Sequence, residues 1–467
     1  MNNDHTRRRR PMLACAAAAA LLGGCASFSP DGGFGTVSDL THERTGQPAT
    51  WQRTQGDIDQ AQARVAALLN QPLSADSITE IALLNNRGLQ ARLAELGVSE
   101  ADRVRAGRLA NPRIGFGQMR GGGSTEIDRS VMFDILGLLT LPVASPLAQR
   151  SFERAQLQAA ADAVDVAHHA RRAFYEAVAA EQLAHYQAQV QEAADVSSEL
   201  AHRMQQAGNL SQRDRLREQA FAAEARAALV QSRQQALAAR ERLVRVMGLP
   251  QAPATLALPE RLPDLPAAPH RPKDVEQTAL ERRLDVQMAR RSTESTARSL
   301  GLTRATRFVN VLELGYANKS STGQARENGY EVELELPLFD FGSTRAARAQ
   351  ALYMQSLHET AEVALNARSE AREAYAQYKG SYDLARHYRD EVIPVRQRLS
   401  QENLLRYNGM LIGVFELLVD AREQIASVTA SITALRDHWL ADTRLQAALA
   451  TPLSPPPQHP NPTESQP

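Results

Sequence analysis

Residues 330–336 alternate apolar and acidic side chains without a break, with Tyr330, Val332, Leu334 and Leu336 in one set and Glu331, Glu333 and Glu335 in the other. Successive side chains of a strand point to opposite faces, so the segment predicts a β-strand with one apolar and one acidic face. After Pro337 and Gly342 the apolar spacing changes from two to about three and a half, which predicts a long helix where the strand stops.

The same order occurs earlier in the chain. Residues 113–120, the turn Gly121-Gly122-Gly123 and residues 126–141 predict a hairpin that Leu141-Pro142 ends. Ile127, Val131, Phe133 and Ile135 share one face of its second strand, and Glu126, Asp128, Ser130 and Asp134 the other. Residues 146–247 then read as helix, interrupted at 207–211. At about 1.5 Å per residue each half is roughly 60 to 90 Å long, too long for a compact globule and suited to an antiparallel helical hairpin. Upstream, residues 58–69 and 77–109 carry helical spacing, with Ser77 as N-cap, Glu80 in the capping-box position and Asn111-Pro112 as a stop.

A Pro-rich stretch at 250–273 has no apolar period and reads as a semi-rigid extended linker. Beyond it the order repeats. Residues 279–286 echo 82–89, strands at 307–318 and 330–338 echo the first hairpin, and Asn408-Gly409 breaks a second helical pair at 343–450 as Gly208 breaks the first. Two repeats, 57–249 and 274–450, each of helix, β-hairpin and helical hairpin, follow from this order. In the second, Ala364, Ala371, Tyr378 and Ala385 recur at heptad spacing, with Ala361, Tyr375 and Tyr382 on the companion row. Residues 451–467 form a Pro-rich tail expected to be disordered.

Composition narrows the picture. The 467 residues contain 53 Lys+Arg against 53 Asp+Glu and only 5% aromatics, which suits long helices and speaks against a nucleic-acid partner. Arg7 to Arg10, a short apolar run and Leu22-Gly23-Gly24-Cys25 read as a signal peptide over residues 1–24. Leu-Gly-Gly-Cys resembles a bacterial lipobox, which implies a lipid on Cys25 and, with Ala26 following, sorting to the outer membrane; residues 25–56 are then an extended leader. Both cysteines, Cys15 and Cys25, lie in this segment, so neither a disulfide nor a thiolate metal site is expected in the mature chain.

Four strands cannot close around a lumen, and lipid does not tolerate open sheet edges, so closure calls for two or three copies of the chain. A water-filled interior favours the larger number. The chain resembles the TolC-like outer-membrane efflux factor family over residues 57–450. The resemblance is carried by the strand exit at 336–342 (Leu-Pro-Leu-Phe-Asp-Phe-Gly), the Asn-Pro before the first strand, the paired Gly-containing helix breaks and Ala421-Arg422. It implies a mainly α fold with a membrane β-barrel portion: a lipid-anchored homotrimer with 12 strands in the outer membrane and a periplasmic helical tunnel. A periplasmic adaptor and an inner-membrane pump, commonly of the resistance-nodulation-division type, are the implied partners.

In that family the helix breaks form the periplasmic tip that meets the adaptor, which points to Gly208, Asn209, Leu210 and Ser211 and to Asn408, Gly409, Met410 and Leu411. Glu416 and Asp420 are candidates for an acidic ring at a constriction. From the alternation itself, Glu331, Glu333 and Glu335 face a lumen, joined by Glu313, Asp128 and Asp134, and a narrow acidic pore favours cations. The alternative is that nearby Arg113 and Arg129 cancel them.

A periplasmic coiled-coil adaptor or scaffold lipoprotein is the rival reading, although an adaptor usually has one helical hairpin between compact β modules. Enzymatic function is not expected: His168, His169, His185 and His202 lack carboxylate or cysteine partners at facing spacing and read as surface positions of a helix, so neither catalytic nor metal residues nor a cofactor is predicted. Residues 134–140 and 410–416 are similar to members paired with heavy-metal pumps; drug, metal-ion and other exports stay open.

Overall fold

The computed structural model describes residues 27–250, 256–306, 308–309, 311–335 and 339–452. Cys25, Leu336, Pro337, Leu338 and most of the predicted tail lie outside them. In chain order the elements are α1 (Phe34–Thr45), α2 (Gln55–Leu69), α3 (Ala75–Asn85), α4 (Arg87–Ala106), β1 (Arg113–Gly121), β2 (Ser124–Asp134), α5 (Ile135–Gln206), α6 (Gln212–Val246), α7 (Val275–Arg282), α8 (Leu284–Ala305), β3 (Leu312–Ser321), β4 (Glu327–Leu334), α9 (Ser343–His387), a π-helical turn (Tyr388–Val392), α10 (Ile393–Asn408) and α11 (Val414–Leu449). The π turn ends two residues before Pro394, which has no N–H to offer the preceding turn.

Among the described residues the chain divides into two compact units, each drawn from both repeats: one from residues up to 36, 93–159 and 285–363, the other from 37–92, 160–284 and 364 onward. The first holds an antiparallel sheet in the order β1-β2-β3-β4, so the two hairpins pair through β2 and β3. Its strand β2 is shorter than the alternation predicted. The strand stops at Asp134, whose Oδ1 accepts from the Gly137 amide at 2.7 Å and starts α5, and that helix runs on through Pro142 and Pro146. Ile135 is therefore helical. Antiparallel contacts between α8 and α9 complete this unit, Thr293 against Thr360 at 2.8 Å and Thr296 against Ser356 at 2.7 Å.

The second unit is helical. Its core joins Ile78, Ile81, Phe174, Tyr175, Val178, Leu243 and Trp439, with Tyr175 stacked on Trp439 at 5.4 Å. Small residues allow the close packing: Ala170, Ala177, Ala367, Ala371 and Ala374 are buried. Of the predicted heptad rows, Ala371, Tyr378, Ala385 and Tyr382 are buried, whereas Ala361 is exposed and the companion row is Ala367 and Ala374.

Four further readings change. The leader contains α1, which buries Val37 and ties the Thr41 and Thr45 hydroxyls to carbonyls one turn back. The helix predicted over 77–109 starts one turn earlier, with Ser74 as N-cap and Ser77 at N3, and breaks at Asn86. Asn85 and Asn86 turn their amides onto the carbonyls of Val246, Met247 and Gly248 at the end of α6. The second repeat breaks at the matching position, Arg283, between α7 and α8. Finally, the Pro-rich linker is extended but packed: Leu256, Leu262 and Leu265 are buried, Trp439 Nε1 donates to the Pro263 carbonyl at 3.0 Å, and the Tyr382 hydroxyl donates to those of Pro266 and Ala267.

Candidate functional site

The two helix breaks belong to the helical unit and have the same backbone geometry. After α5, Asn209 N donates to Met204 O at 2.9 Å and Gly208 N to Gln205 O at 3.0 Å. After α10, Leu411 N donates to Arg406 O at 2.9 Å and Met410 N to Tyr407 O at 2.9 Å. Both are Schellman caps, which need one residue in the left-handed region. In the first break that residue is Gly208, at φ 76°; in the second it is Met410, at φ 61°. Gly409, the predicted reversal point, sits at φ −78° and Asn408 ends α10. The aligned positions are thus Gly208 with Met410 and Ser211 with Gly413, one residue later than the glycine pattern suggested. Ser211 Oγ caps α6 by accepting from Asp214 N at 3.1 Å, while Gly413 starts α11 with no side-chain cap. Met410 and Leu411 are strongly exposed, at 92% and 77%.

Behind the turns, Val196, Leu200, Met204, Leu210, Tyr407 and Leu417 line a cavity of ≈ 290 Å³. The two hairpins are joined beside it by an ion pair between a buried acid and a half-buried arginine: Arg422 Nη2 lies 2.8 Å from Glu218 Oε1, Ser197 Oγ donates to Glu218 Oε2 at 2.9 Å, and the Arg422 guanidinium stands 4.3 Å over the Phe221 ring. Glu218 is 2% exposed. The sequence reading missed Glu218, which sits on a polar helix with nothing to mark it; only the fold sets it opposite Arg422. Of the two acids named for a constriction, Glu416 is exposed in the first turn of α11 and Asp420 is buried, its carboxylate without a protein hydrogen-bond partner among the described residues.

Farther along the same hairpins lie three buried titratable groups. His438 is packed among Tyr378, Tyr382 and Trp439, with ring centroids 5.3 to 5.6 Å away, and burial lowers it to about 4. His168, predicted at the surface, is also buried; burial and the neighbouring Arg171 lower it to about 4. Burial pushes Asp442 up to about 6, with Gln446 Nε2 donating to its Oδ2 at 2.7 Å. Among the described residues no cluster of His, Cys, Asp or Glu could hold a metal ion.

In the sheet, register decides which side chains share a face. Glu313 opposes Glu333 and Asp134, and Gly315 opposes Glu331 and Met132. One face therefore carries Glu126, Asp128, Asp134, Glu313, Glu327, Glu331 and Glu333, against Arg113 and Lys319 as its cations. Arg113 pairs with Glu313 and Lys319 with Glu126. Glu335 follows directly, its amide donating to Val311 O at 3.2 Å. Arg129 is on the opposite face, donating to Asn318 Oδ1 at 3.1 Å, and so does not offset the acids. That opposite face is apolar and open: Ile114, Phe116, Phe133, Leu314, Tyr316, Tyr330, Val332 and Leu334 are all exposed. Among the described residues no helix is long and apolar enough to cross a membrane.

No protein-family model and no curated protein matches the sequence. Solved structures do. The outer-membrane channel OprN is similar with a TM-score of 0.66 at 20% identity, over 88% of this chain and 95% of that one. The outer membrane protein VceC of Vibrio cholerae gives 0.66 at 15% identity over 85% and 98%, and CusC, described for transmembrane channel formation, 0.65 at 16% over 80% and 91%. The chain shares the fold of these proteins.

Proposed function

We propose that this protein is the outer-membrane channel of a tripartite efflux pump, an exit duct from periplasm to exterior. The observation that carries the reading is the sheet, which among the described residues has four strands with an exposed apolar face, an acidic opposite face, and β1 and β4 as unpaired edges. Such a sheet is stable in hydrocarbon only when its edges are paired, which three copies closing a 12-stranded barrel would accomplish. The apolar face then meets lipid and the acidic face lines the lumen, where Asp128, Asp134, Glu313, Glu331, Glu333 and Glu335 favour cations. The exposed turns at Gly208 to Ser211 and at Asn408 to Leu411 meet a periplasmic adaptor, which links the duct to an inner-membrane pump of the resistance-nodulation-division type. Glu416 and Asp420 lie next to the second turn and belong to the constriction. A lipid on Cys25 anchors the chain to the outer membrane.

The test is the oligomeric state and single-channel conductance of the detergent-extracted mature protein, with Cys25→Ser alongside. A trimer that inserts into planar bilayers and passes cations is expected, with cation preference reduced in Glu331→Gln/Glu333→Gln. A monomer released in soluble form by Cys25→Ser, without conductance, would replace the channel by the scaffold reading. A reversal potential showing anion preference would sink the selectivity claim alone.

A further inference from the structure

The Pro-rich linker between the repeats is tied to both helical hairpins by side chains that bond its backbone. On the first hairpin, Arg240 of α6 donates to the Leu256 carbonyl at 3.0 Å and Gln182 of α5 accepts from the Leu262 amide at 3.1 Å. On the second, Trp439 of α11 donates to the Pro263 carbonyl, the Tyr382 hydroxyl of α9 to those of Pro266 and Ala267, and Arg389 Nη1 to that of Leu265 at 3.3 Å. A segment with neither helix nor ladder of its own needs such partners when it packs on a core. Between these ties Leu265 is buried with Tyr382, Ala385 and Ala434. Arg389 belongs to the π turn itself.

Burial in the second hairpin stops at the level of these ties. Ala371, Ala374, Tyr378, Tyr382 and Ala385 are buried on α9, whereas no residue of the π turn or of α10 is buried. On α11, among the described residues, the buried positions lie between Leu449 and Ile432, and beyond them only Asp420 is buried. The first hairpin differs: α5 is unbroken and buries Val190, Ala194 and Ala201 on the way to its turn. The π turn is also a local weak point. The Ile393 amide reaches back five residues to the Tyr388 carbonyl, and Pro394 offers no amide to the turn before it. We propose that the linker is a strap that turns the second hairpin into a jointed lever: residues 256–270 clamp α9 and α11 to the first hairpin, and the π turn is the hinge beyond which α10 and the start of α11 move as one arm. The arm keeps the Arg422–Glu218 pair and the packing of Ile425 on the Val190 cluster as ties to the first hairpin, so it swings when these few contacts part. The joint is a property of a single chain, whereas an arm that carries the end of a duct rests on the channel reading.

Amide hydrogen exchange of the full-length detergent-solubilised protein, read by mass spectrometry, tests the joint. Residues 393–408 should exchange at least about 10-fold faster than 367–385, with 190–201 as slow as the latter. Tyr382→Phe/Arg389→Gln removes the hydroxyl and guanidinium bonds to the linker and should carry the fast region up α9, speeding 378–387 about 10-fold while 190–201 stays unchanged. Pro394→Ala returns an amide N–H to the turn and should act in the opposite sense, slowing 388–396 about 3-fold. Equal rates for α10 and 367–385 in the wild type would overturn the hinge, as would an unaltered rate in Pro394→Ala. Acceleration of all helices alike in the double variant, or of none, would overturn the strap, because its bonds would then set no boundary. Bilayer conductance of the same preparations separates the two readings: a wild type that does not conduct fails as a channel, while the exchange boundary stands or falls without it.

Discussion

The two helix breaks make the same turn from different residues. The first places Gly208 at the left-handed position and Ser211 at the N-cap; the second places Met410 and Gly413 there. The favourable residue types occur in both turns but only the first sets each where the backbone benefits. A side chain at positive φ costs about 1 kcal/mol or more, and glycine in place of serine at an N-cap a few tenths of a kcal/mol. The second turn is therefore the weaker of the two, and it is also the one that exposes Met410 and Leu411. Backbone strain at an exposed apolar turn is compatible with a surface kept for a partner.

The hairpins behind the turns differ as well. Each buries one histidine lowered to about 4, His168 in α5 and His438 in α11, but only α11 buries a carboxyl raised to about 6, Asp442. For a histidine lowered in this way the unfolded chain binds more protons between pH 4 and 6.5, so stability falls as pH falls through that window. For Asp442 the folded chain binds more protons between its ordinary 3.8 and about 6, so its effect runs the other way and stability is lost as pH rises through 6.

The largest effect should come from breaking the link between the hairpins. Glu218→Ala leaves the half-buried Arg422 beside Phe221 without its acid and should cost about 3 kcal/mol in chemical denaturation, with Glu218→Gln milder. An unchanged midpoint would mean that the pair does not hold the hairpins together. Next comes Asp442→Asn, which removes the one acid and should stabilise by about 2 to 3 kcal/mol near neutral pH. The gain should vanish below pH ~4, leaving a steeper acid loss from the two histidines; a gain independent of pH would remove Asp442 from the account. Exchanging the turn residues gives opposite signs: Gly208→Ala should destabilise, and Met410→Gly stabilise, by about 1 kcal/mol each. The smallest effects are at the caps, where Ser211→Ala should cost about 1 kcal/mol and Gly413→Ser recover about half of that. Space is not limiting at Gly208 or Gly413, since a Cβ at either would meet nothing within 4 Å. If all four turn variants moved stability equally, the two turns would not differ in strain.

The local code of this chain was legible. Alternation over residues 330–335 placed Glu331 and Glu333 opposite Tyr330 and Val332, and the register of β3 and β4 keeps them so, because a period of two can be read directly from a strand. The duplicated order announced two helical hairpins, and their breaks fell within a residue or two of the glycines. What the chain alone could not settle depended on distant partners. Asp134 starts α5 through one hydrogen bond to Gly137, so residues after it leave the strand despite apolar Ile135 and despite two prolines. Leu262 and Leu265 carry no period, yet they are buried because Trp439, Gln182 and Tyr382 offer partners to the linker backbone. Which of Gly409 and Met410 takes the left-handed position is fixed by where α10 ends, and Glu218 acquires its partner only when α6 and α11 pack. Period and composition are properties of neighbours in sequence; burial of a charge and the exact close of a helix are decided by neighbours in space.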